Sequence, residues 1–291
     1  MNLTNPSEIK AIINENGFSF KKKYGQNFLI NKDVPKKIAN ASVSESEKAG
    51  CACIEIGPGI GVMTRELAEL YDKVVAFEID SELIPILSKT LADKNNVTVI
   101  NKDILEINLK EFIEENLQGY KVSVCANLPY YITTPIIMSL LESHAKIERI
   151  VVMIQKEVAN RLTAKPGSNE YGSITPSIEY YAVVKKLFDV SPGNFMPKPE
   201  VTSTVVSFDI RKEAPVNPKS RDLLFKTIRG VFALRRKTVL NSLGSEFSHI
   251  SKEDLTKCLE DANLSPSVRG ETLSLQQISD LSDAIFSLMN A

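Results

Sequence analysis

The sequence of 291 residues has no tryptophan, two histidines and only four cysteines. None of the cysteines forms a C-x2-C pair, so we expect no metal site. The cysteines are predicted to be buried free thiols, as in proteins of the cell interior. No apolar run is long enough to span a membrane, and the first residues lack the basic and apolar regions of a signal peptide. We therefore expect a cytoplasmic protein with no membrane association.

An excess of charge of one sign is also missing, because 35 basic and 36 acidic residues leave a net charge of −1. With 43% hydrophobic residues, this composition excludes a wholly disordered or fibrous chain. Basic residues are nevertheless concentrated in two segments. Such segments are as typical of contact with a polyanionic partner as of two ordinary solvated surfaces. The residues predicted to contact such a partner are Lys21, Lys22, Lys23, Arg235, Arg236 and Lys237.

Apolar runs alternate with helical patterns from residue 51 to residue 210. Such nearly continuous apolar runs are typical of parallel strands that are covered on both faces. Two later strands, at 183–190 and 201–210, are joined by a link too short for a helical crossover, so we expect them to be antiparallel. The pattern predicts an α/β fold with a doubly wound, mostly parallel sheet of seven strands. The first five strands are predicted at 51–56, 73–78, 97–100, 121–126 and 149–154.

Helical patterns alone follow a proline-containing linker at 211–219. We therefore predict two domains. Residues 1–210 form the α/β domain with an N-terminal basic leader, and residues 211–291 form a smaller, all-helical domain.

The tips of the first three predicted strands suggest a cofactor site. The first strand ends in a G-x-G-x-G turn that contains Gly57 and Gly59, whereas dinucleotide sites prefer G-x-G-x-x-G. Glu78, at the tip of the second strand, is suited to accept hydrogen bonds from both ribose hydroxyls, and Asp103 follows the third strand. This combination favours an adenosyl cofactor without a diphosphate, with NAD as the alternative.

The fourth strand ends in Asn127-Leu128-Pro129-Tyr130. The exocyclic amine of adenine is a poor nucleophile because its lone pair is delocalised into the ring. The side-chain oxygen of Asn127 and the carbonyl of Leu128 or Pro129 are suited to accept its two N–H groups and free that lone pair. Tyr130 is suited to stack on an extruded base, and Phe195 to form a second aromatic wall.

With these motifs, the sequence resembles the bacterial small-subunit ribosomal RNA adenine dimethyltransferases, the KsgA/RsmA family, from about residue 18 to residue 271. The order of several specific motifs makes the resemblance strong. They are Tyr24-Gly-Gln-Asn-Phe-Leu29, Glu55-Ile-Gly-Pro-Gly-Ile-Gly61, Glu78-Ile-Asp80, Asn127-Leu-Pro-Tyr130, Gln155-Lys-Glu-Val158, Phe195-Met-Pro-Lys-Pro199 and Arg235-Arg-Lys-Thr238.

The resemblance implies a class I, Rossmann-like methyltransferase fold, with S-adenosylmethionine as methyl donor and S-adenosylhomocysteine as product. It implies dimethylation of two adjacent adenines in the 3′-terminal hairpin of 16S ribosomal RNA, in an immature small subunit. The resemblance thus implies that the partner of the basic residues is RNA and that the helical domain, residues 211–291, binds RNA. We expect the enzyme to be a monomer. The implied cofactor contacts are Gln26, Asn27, Leu29, Gly57, Gly59, Glu78, Ile79, Asp103, Ile104 and Asn127. The implied catalytic residues are Asn127, Leu128, Pro129, Tyr130 and Phe195. One departure is Leu234, which stands where glutamine is common in the family.

Three alternatives remain open. The first is a 23S ribosomal RNA adenine methyltransferase of the macrolide-resistance type, which shares the cofactor turn and a similar Asn-x-Pro-Tyr motif. The segments 195–201 and 235–238 favour the small-subunit enzyme over it. The second is a ribosome-assembly or transcription factor that keeps the fold without catalysis. The third is a DNA adenine methyltransferase, whose motif commonly has two prolines.

Overall fold

The structure, a computed structural model, describes residues 2–21, 24–43 and 50–290. Helices and strands alternate up to residue 162, a further helix and three strands follow up to residue 210, and only helices follow in the described residues. In chain order the helices are α1 (Pro6–Glu15), α2 (Asp33–Ser42), α3 (Val62–Ala68), α4 (Ile84–Thr90), α5 (Leu109–Asn116), α6 (Thr133–Glu142), α7 (Lys156–Leu162), α8 (Ile174–Tyr181), α9 (Arg221–Phe232), α10 (Val239–Leu243), α11 (Lys252–Asp261) and α12 (Leu275–Met289). The strands are β1 (Phe28–Leu29), β2 (Cys51–Ile56), β3 (Lys73–Phe77), β4 (Val97–Ile100), β5 (Lys121–Asn127), β6 (Ile147–Gln155), β7 (Ala182–Val190), β8 (Phe195–Met196) and β9 (Ser203–Ile210).

Seven of the strands form one sheet, in the order β4-β3-β2-β5-β6-β9-β7. The five strands from β4 to β6 in this order are parallel, and β9 runs antiparallel to β6. All six residues of the central strand β2 are buried, as expected of a strand covered on both faces. The predicted α/β fold with a mostly parallel sheet of seven strands is therefore confirmed.

The strand order reverses at β2. Its two successors in the chain, β3 and β4, lie on one side of it, whereas β5 and β6 lie on the other. Ligands of open parallel sheets bind at such a switch point, outside the carboxyl ends of the strands. Gly57, Glu78 and Asn127, at or just beyond the ends of β2, β3 and β5, therefore come to one edge of the sheet.

A second sheet of two strands joins distant parts of the chain. Strand β1 pairs with β8 in antiparallel fashion, with Leu29 opposite Phe195. The main-chain nitrogen of Ile30 extends this pairing by donating a hydrogen bond to the carbonyl of Asn194, at 2.9 Å. The sequence did not predict this pairing, which places a segment near the N-terminus beside the Phe195 loop.

The chain divides into two compact units. One comprises Met1–Ala159 with Lys185–Ile210, and the other comprises Asn160–Val184 with Arg211–Ala291. The second unit therefore begins earlier than the predicted boundary at residue 210.

The segment 160–184 joins the helical unit through buried contacts. The hydroxyl of Tyr171 donates a hydrogen bond to the carbonyl of Leu273 at 2.9 Å, and its ring packs edge-on against Phe232. Tyr171 is 4% exposed, so this contact belongs to the interior of the unit. A boundary read from the linker alone misses such contacts because they join residues about 100 positions apart.

The interior of the second unit is apolar. Leu224, Ile228, Leu259 and Ile278, from helices α9, α11 and α12, are fully buried there. All four cysteines of the chain are free and buried, as predicted. Within the described ranges, we find no helix with the length and apolar character that crossing a membrane requires.

Candidate active site

A pocket of about 870 Å³, measured to its open mouth, lies at the carboxyl ends of β2, β3 and β5. Its walls come from these strand ends, from β8 and from residues 24–29. The predicted site residues that line it are Gln26, Asn27, Leu29, Gly57, Gly59, Glu78, Ile79, Asn127, Leu128, Pro129, Tyr130 and Phe195.

The glycine-rich turn after β2 forms one wall of the pocket. Gly57 and Gly59 have φ angles of 69° and 60°, in the left-handed region that favours glycine. A Cβ atom at Gly57 would meet no atom within 4 Å, whereas one at Gly59 would lie 3.1 Å from the ring of Phe28. The turn therefore exposes main chain to the pocket at Gly57 and lets Phe28 pack closely at Gly59.

Glu78 is held in a fixed orientation beside this turn. Its Oε1 accepts a hydrogen bond from the main-chain nitrogen of Asp80 at 2.9 Å, and its Oε2 accepts one from that of Gly59 at 3.2 Å. Burial raises the pKa of Glu78 to about 7, although these hydrogen bonds work to lower it. Since each carboxylate oxygen has two lone pairs, Glu78 keeps the capacity to accept further hydrogen bonds from a ligand.

Glu55, in the same pocket, was not predicted as a site residue. It is fully buried, and neither of its carboxylate oxygens has a hydrogen-bond partner among the described residues. Burial raises the pKa of Glu55 to about 8, with a lowering effect from the nearby Thr64 hydroxyl and a further rise caused by Glu78. A buried, unpaired carboxyl is costly, so it indicates a site where a ligand supplies the missing partner. In the sequence, Glu55 could have been recognised as a site residue from its place in an apolar strand just before the glycines.

The side chain of Asn127 is oriented by a residue distant in the chain. Its Nδ2 donates a hydrogen bond to the main-chain oxygen of Asn27 at 3.1 Å. The Oδ1 atom then points away from that contact and accepts no hydrogen bond from the described residues. Asn127 is thus fixed with an acceptor available in the pocket, as the predicted role requires.

The two carbonyls proposed as the second acceptor differ in their hydrogen bonds. The oxygen of Pro129 already accepts hydrogen bonds from the nitrogen of Ile132 at 3.2 Å and from the hydroxyl of Thr133 at 3.1 Å. Both lone pairs of that oxygen are therefore in use. No hydrogen bond to the carbonyl of Leu128 is found among the described residues, so Leu128 is the better candidate.

Tyr130, Tyr131 and Phe195 are among the aromatic residues that line the pocket. The hydroxyl of Tyr130 shares a hydrogen bond with Ser203 at 2.8 Å, which anchors the ring to β9. Phe195 is 4% exposed and lines the wall that β8 contributes. Tyr131, which was not predicted, is 59% exposed and also lines the pocket. Its position directly after Tyr130 was the only signal for it.

Comparison with known proteins agrees with this geometry. The family model described as "Ribosomal RNA adenine dimethylase" matches residues 17–281. The chain belongs to this family. The predicted family and its class of activity, that of an adenosylmethionine-dependent ribosomal RNA adenine dimethylase, are thereby confirmed.

Several relatives are similar along almost their whole length. "Ribosomal RNA small subunit methyltransferase A" of Alkaliphilus metalliredigens is 42% identical over 283 residues, covering 97% of this chain and 98% of the relative. The protein of the same name from Lachnoclostridium phytofermentans is 44% identical over 287 residues, with 97% of each chain covered. Among solved structures, a dimethyladenosine transferase from Plasmodium falciparum matches with a TM-score of 0.74 and 23% identity, over 90% of this chain and 98% of that one. This structural match supports the fold.

Two residues predicted for this dimethylase's cofactor site do not line the pocket. The side chain of Asp103 accepts a hydrogen bond from the nitrogen of Leu105 at 3.0 Å and caps a short 3-10 turn. Ile104, in that turn, is 7% exposed. Both follow β4, two strands away from the glycine-rich turn, so their predicted contact with an adenine ring stays a prediction.

The predicted RNA contacts of the dimethylase differ in their surroundings. Lys22 and Lys23 lie outside the described residues. Lys21 forms an ion pair with Asp80 at 2.7 Å and another with Glu82 at 3.0 Å, so its ammonium group is already engaged within the protein. The Lys21 side chain is 25% exposed.

The second cluster of predicted RNA contacts lies in the helical unit, after α9. Arg235, Arg236 and Lys237 are all exposed there. Arg235 also donates a hydrogen bond from Nη2 to the carbonyl of Asn169 at 2.6 Å. Arg235 therefore has a structural contact besides any contact with RNA.

Proposed function

We propose that this dimethylase transfers methyl groups from S-adenosylmethionine to the N6 amines of two adjacent adenosines in the 3′-terminal hairpin of 16S ribosomal RNA. The products are N6,N6-dimethyladenosine and S-adenosylhomocysteine. The substrate is an immature small ribosomal subunit, and the enzyme acts in the cytoplasm as a monomer.

The observation that carries this proposal is the orientation of Asn127. Its Nδ2 is bound to the carbonyl of Asn27, so its Oδ1 is available beside the main chain of Leu128. These two oxygens accept the two N–H groups of the target amine and draw the nitrogen toward tetrahedral geometry. The freed lone pair would attack the sulfonium methyl carbon as the carbon–sulfur bond breaks, so that S-adenosylhomocysteine leaves. The methylated nitrogen would then release its extra proton to solvent.

The pocket also fits an adenosyl cofactor with a cationic methionine end. Glu78 offers acceptors for a ribose, and the main chain at Gly57 leaves open space for a ligand. Glu55 provides a buried carboxyl without a protein partner among the described residues. The bound cofactor supplies an activated sulfonium methyl group, so no strong general base is needed at the target amine.

Rate enhancement then comes from positioning in a site with little water. Tyr130, anchored by Ser203, and Phe195, held in β8, lie on the walls of the pocket and stack on the extruded adenine. When a planar base stacks between two rings, its amine is held at a fixed position relative to Asn127.

The alternatives are less well supported. The relatives that match along their full length are named for the small subunit, so a 23S ribosomal RNA target of the macrolide-resistance type is not favoured. A non-catalytic assembly factor would not need an oriented Asn127 with an open acceptor. A duplex DNA substrate lacks support because the family model is that of a ribosomal RNA enzyme.

The test uses small subunits from a strain that lacks the methylation. Purified protein is incubated with these subunits and the methyl donor, and mass spectrometry of RNA fragments locates dimethyladenosine. We expect two adjacent dimethyladenosines near the 3′ end of 16S RNA. Methylation confined to 23S RNA, or binding to the subunit without any methylation, would contradict the proposal. Light scattering of the purified protein tests whether it is a monomer.

A further inference from the structure

Asp80 lies at the tip of β3, two residues beyond Glu78, and its carboxylate is almost fully buried. Only 1% of the residue is exposed. Its Oδ1 forms an ion pair with the ammonium of Lys21 at 2.7 Å, and its Oδ2 accepts a hydrogen bond from Nε2 of Gln26 at 2.8 Å. Burial works to raise the pKa of Asp80, but these two contacts, together with a hydrogen bond from the main-chain nitrogen of Glu82 to Oδ1 at 3.2 Å, outweigh it, and the pKa lies below its ordinary value. The carboxylate is therefore charged, and a buried charge of this kind depends on its partners.

Both ends of the Gln26 amide are engaged by the protein. While Nε2 donates to Asp80, Oε1 accepts a hydrogen bond from the main-chain nitrogen of Lys21 at 2.9 Å. Gln26 was predicted to contact the cofactor. Its amide joins Lys21 and Asp80, and we call these three residues the clasp. Gln26 also lines the pocket, and its predicted cofactor contact stays a prediction.

The clasp connects two walls of the cofactor pocket. Residues 24–29 line one side of the pocket, and Glu78 lines another. The main-chain nitrogen of Asp80 donates to Oε1 of Glu78 at 2.9 Å, so Asp80 contacts Glu78 through its main chain and the clasp through its side chain. Asp80 therefore contacts both the acid on one side of the pocket and, through the clasp, the chain segment that lines another side.

We propose that Asp80 is a positioning residue, which through Lys21 and Gln26 holds residues 24–29 against the pocket and so slows release of the cofactor. This inference rests on the proposed function, because it takes the pocket to be the adenosylmethionine site. Asp80 does not touch the reacting atoms. Loss of the clasp thus weakens cofactor binding while the methyl-transfer step at saturating cofactor is retained.

The test measures binding of S-adenosylmethionine to the full chain without RNA, by calorimetry and by stopped-flow dissociation. Asp80→Asn keeps the shape of the side chain and removes its charge, and Lys21→Met removes only the ammonium. We expect each variant to raise Kd and the dissociation rate roughly tenfold, the scale of removing one charge-assisted hydrogen bond. The double variant should bind no more weakly than the poorer single variant, because both changes break the same ion pair.

Asp93→Asn is the matched control, since it removes an exposed ion pair with Arg65 (2.6 Å) in the same unit. It should leave Kd unchanged. Circular dichroism confirms folding of each variant, and kcat of Asp80→Asn with small subunits at saturating cofactor should stay within about twofold of wild type. Unchanged Kd in both clasp variants, or additive effects in the double variant, would overturn the inference. Wild-type protein that fails to bind the cofactor would overturn the proposed function and this inference with it.

Discussion

The carboxamide of Asn127 donates a hydrogen bond to the main-chain oxygen of Asn27, 100 residues earlier in the chain, at 3.1 Å. This contact uses the donor end of the amide within the protein and leaves its acceptor end in the pocket. The orientation of the group proposed to activate the target amine therefore depends on the segment that closes the cofactor pocket.

The first prediction concerns this orientation. Asn127→Ala should reduce methyl transfer at least about a hundredfold, because positioned acceptors acting on a reaction centre are worth roughly this much. RNA affinity should stay close to that of wild type, since the change removes no cationic side chain. Methylation is followed by transfer of labelled methyl groups, and affinity by filter binding. Wild-type rates in Asn127→Ala would exclude the proposed role.

The second prediction concerns Glu55 and pH. Its pKa in the folded protein is raised to about 8 from an ordinary value of 4.5, so the folded state holds the proton more tightly than the unfolded state. The stabilisation is fully present below pH 4.5 and is lost as the pH rises toward 8, by roughly 5 kcal/mol at most. Glu55→Gln should therefore lose less stability than wild type between pH 5 and pH 8.

This difference is measured by thermal unfolding without cofactor at the two pH values. Glu78, whose pKa is raised to about 7, contributes in the same direction and remains in the Glu55→Gln variant. The stability of the variant therefore still depends on pH, but less than that of wild type. Glu114→Gln, at an exposed position, controls for the loss of one carboxylate. Equal pH dependence in wild type and Glu55→Gln would show that Glu55 is not a buried acid in the folded state.

The third prediction separates the ring of Tyr130 from its hydroxyl. Tyr130→Ala should lower kcat/KM for the RNA substrate roughly 10- to 100-fold, the scale of removing one base–aromatic stack. Tyr130→Phe keeps the ring and removes only the hydrogen bond to Ser203, so its effect should be a few-fold at most. Tyr120→Ala, at the opposite end of β5, is the control. Similar decreases in Tyr130→Phe and Tyr130→Ala would assign the role to the hydroxyl.

The fourth prediction concerns the basic cluster in the helical unit. Replacing Arg236 and Lys237 by Ala should weaken RNA binding and make it less dependent on salt. The slope of log affinity against log salt concentration should become shallower by about one unit for each phosphate group that the variant no longer binds. Arg235→Ala is tested separately, because Arg235 also contacts the carbonyl of Asn169 and its removal affects the fold locally. Filter binding over a series of salt concentrations gives the slopes. An unchanged slope in the double variant would remove this cluster from the RNA interface.

The sequence alone determined the sheet and most of the pocket. Buried strands such as β2 are continuous apolar runs, and their carboxyl ends must meet at one edge of a parallel sheet. The glycine-rich turn, Glu78 and Asn127 could therefore be assigned to one site, because each lies at or just after a strand end that periodicity reveals.

Only the tertiary structure decided which atoms in that site are available. Gln26 has the type and place of a cofactor ligand, yet its amide is engaged by Lys21 and Asp80. Pro129 and Leu128 are equivalent by sequence, yet of the two carbonyls only that of Pro129 is engaged by neighbours among the described residues. The physical reason is that periodicity reports burial and local conformation, whereas hydrogen-bond partners are set by chain segments that pack together from as far as 100 residues apart.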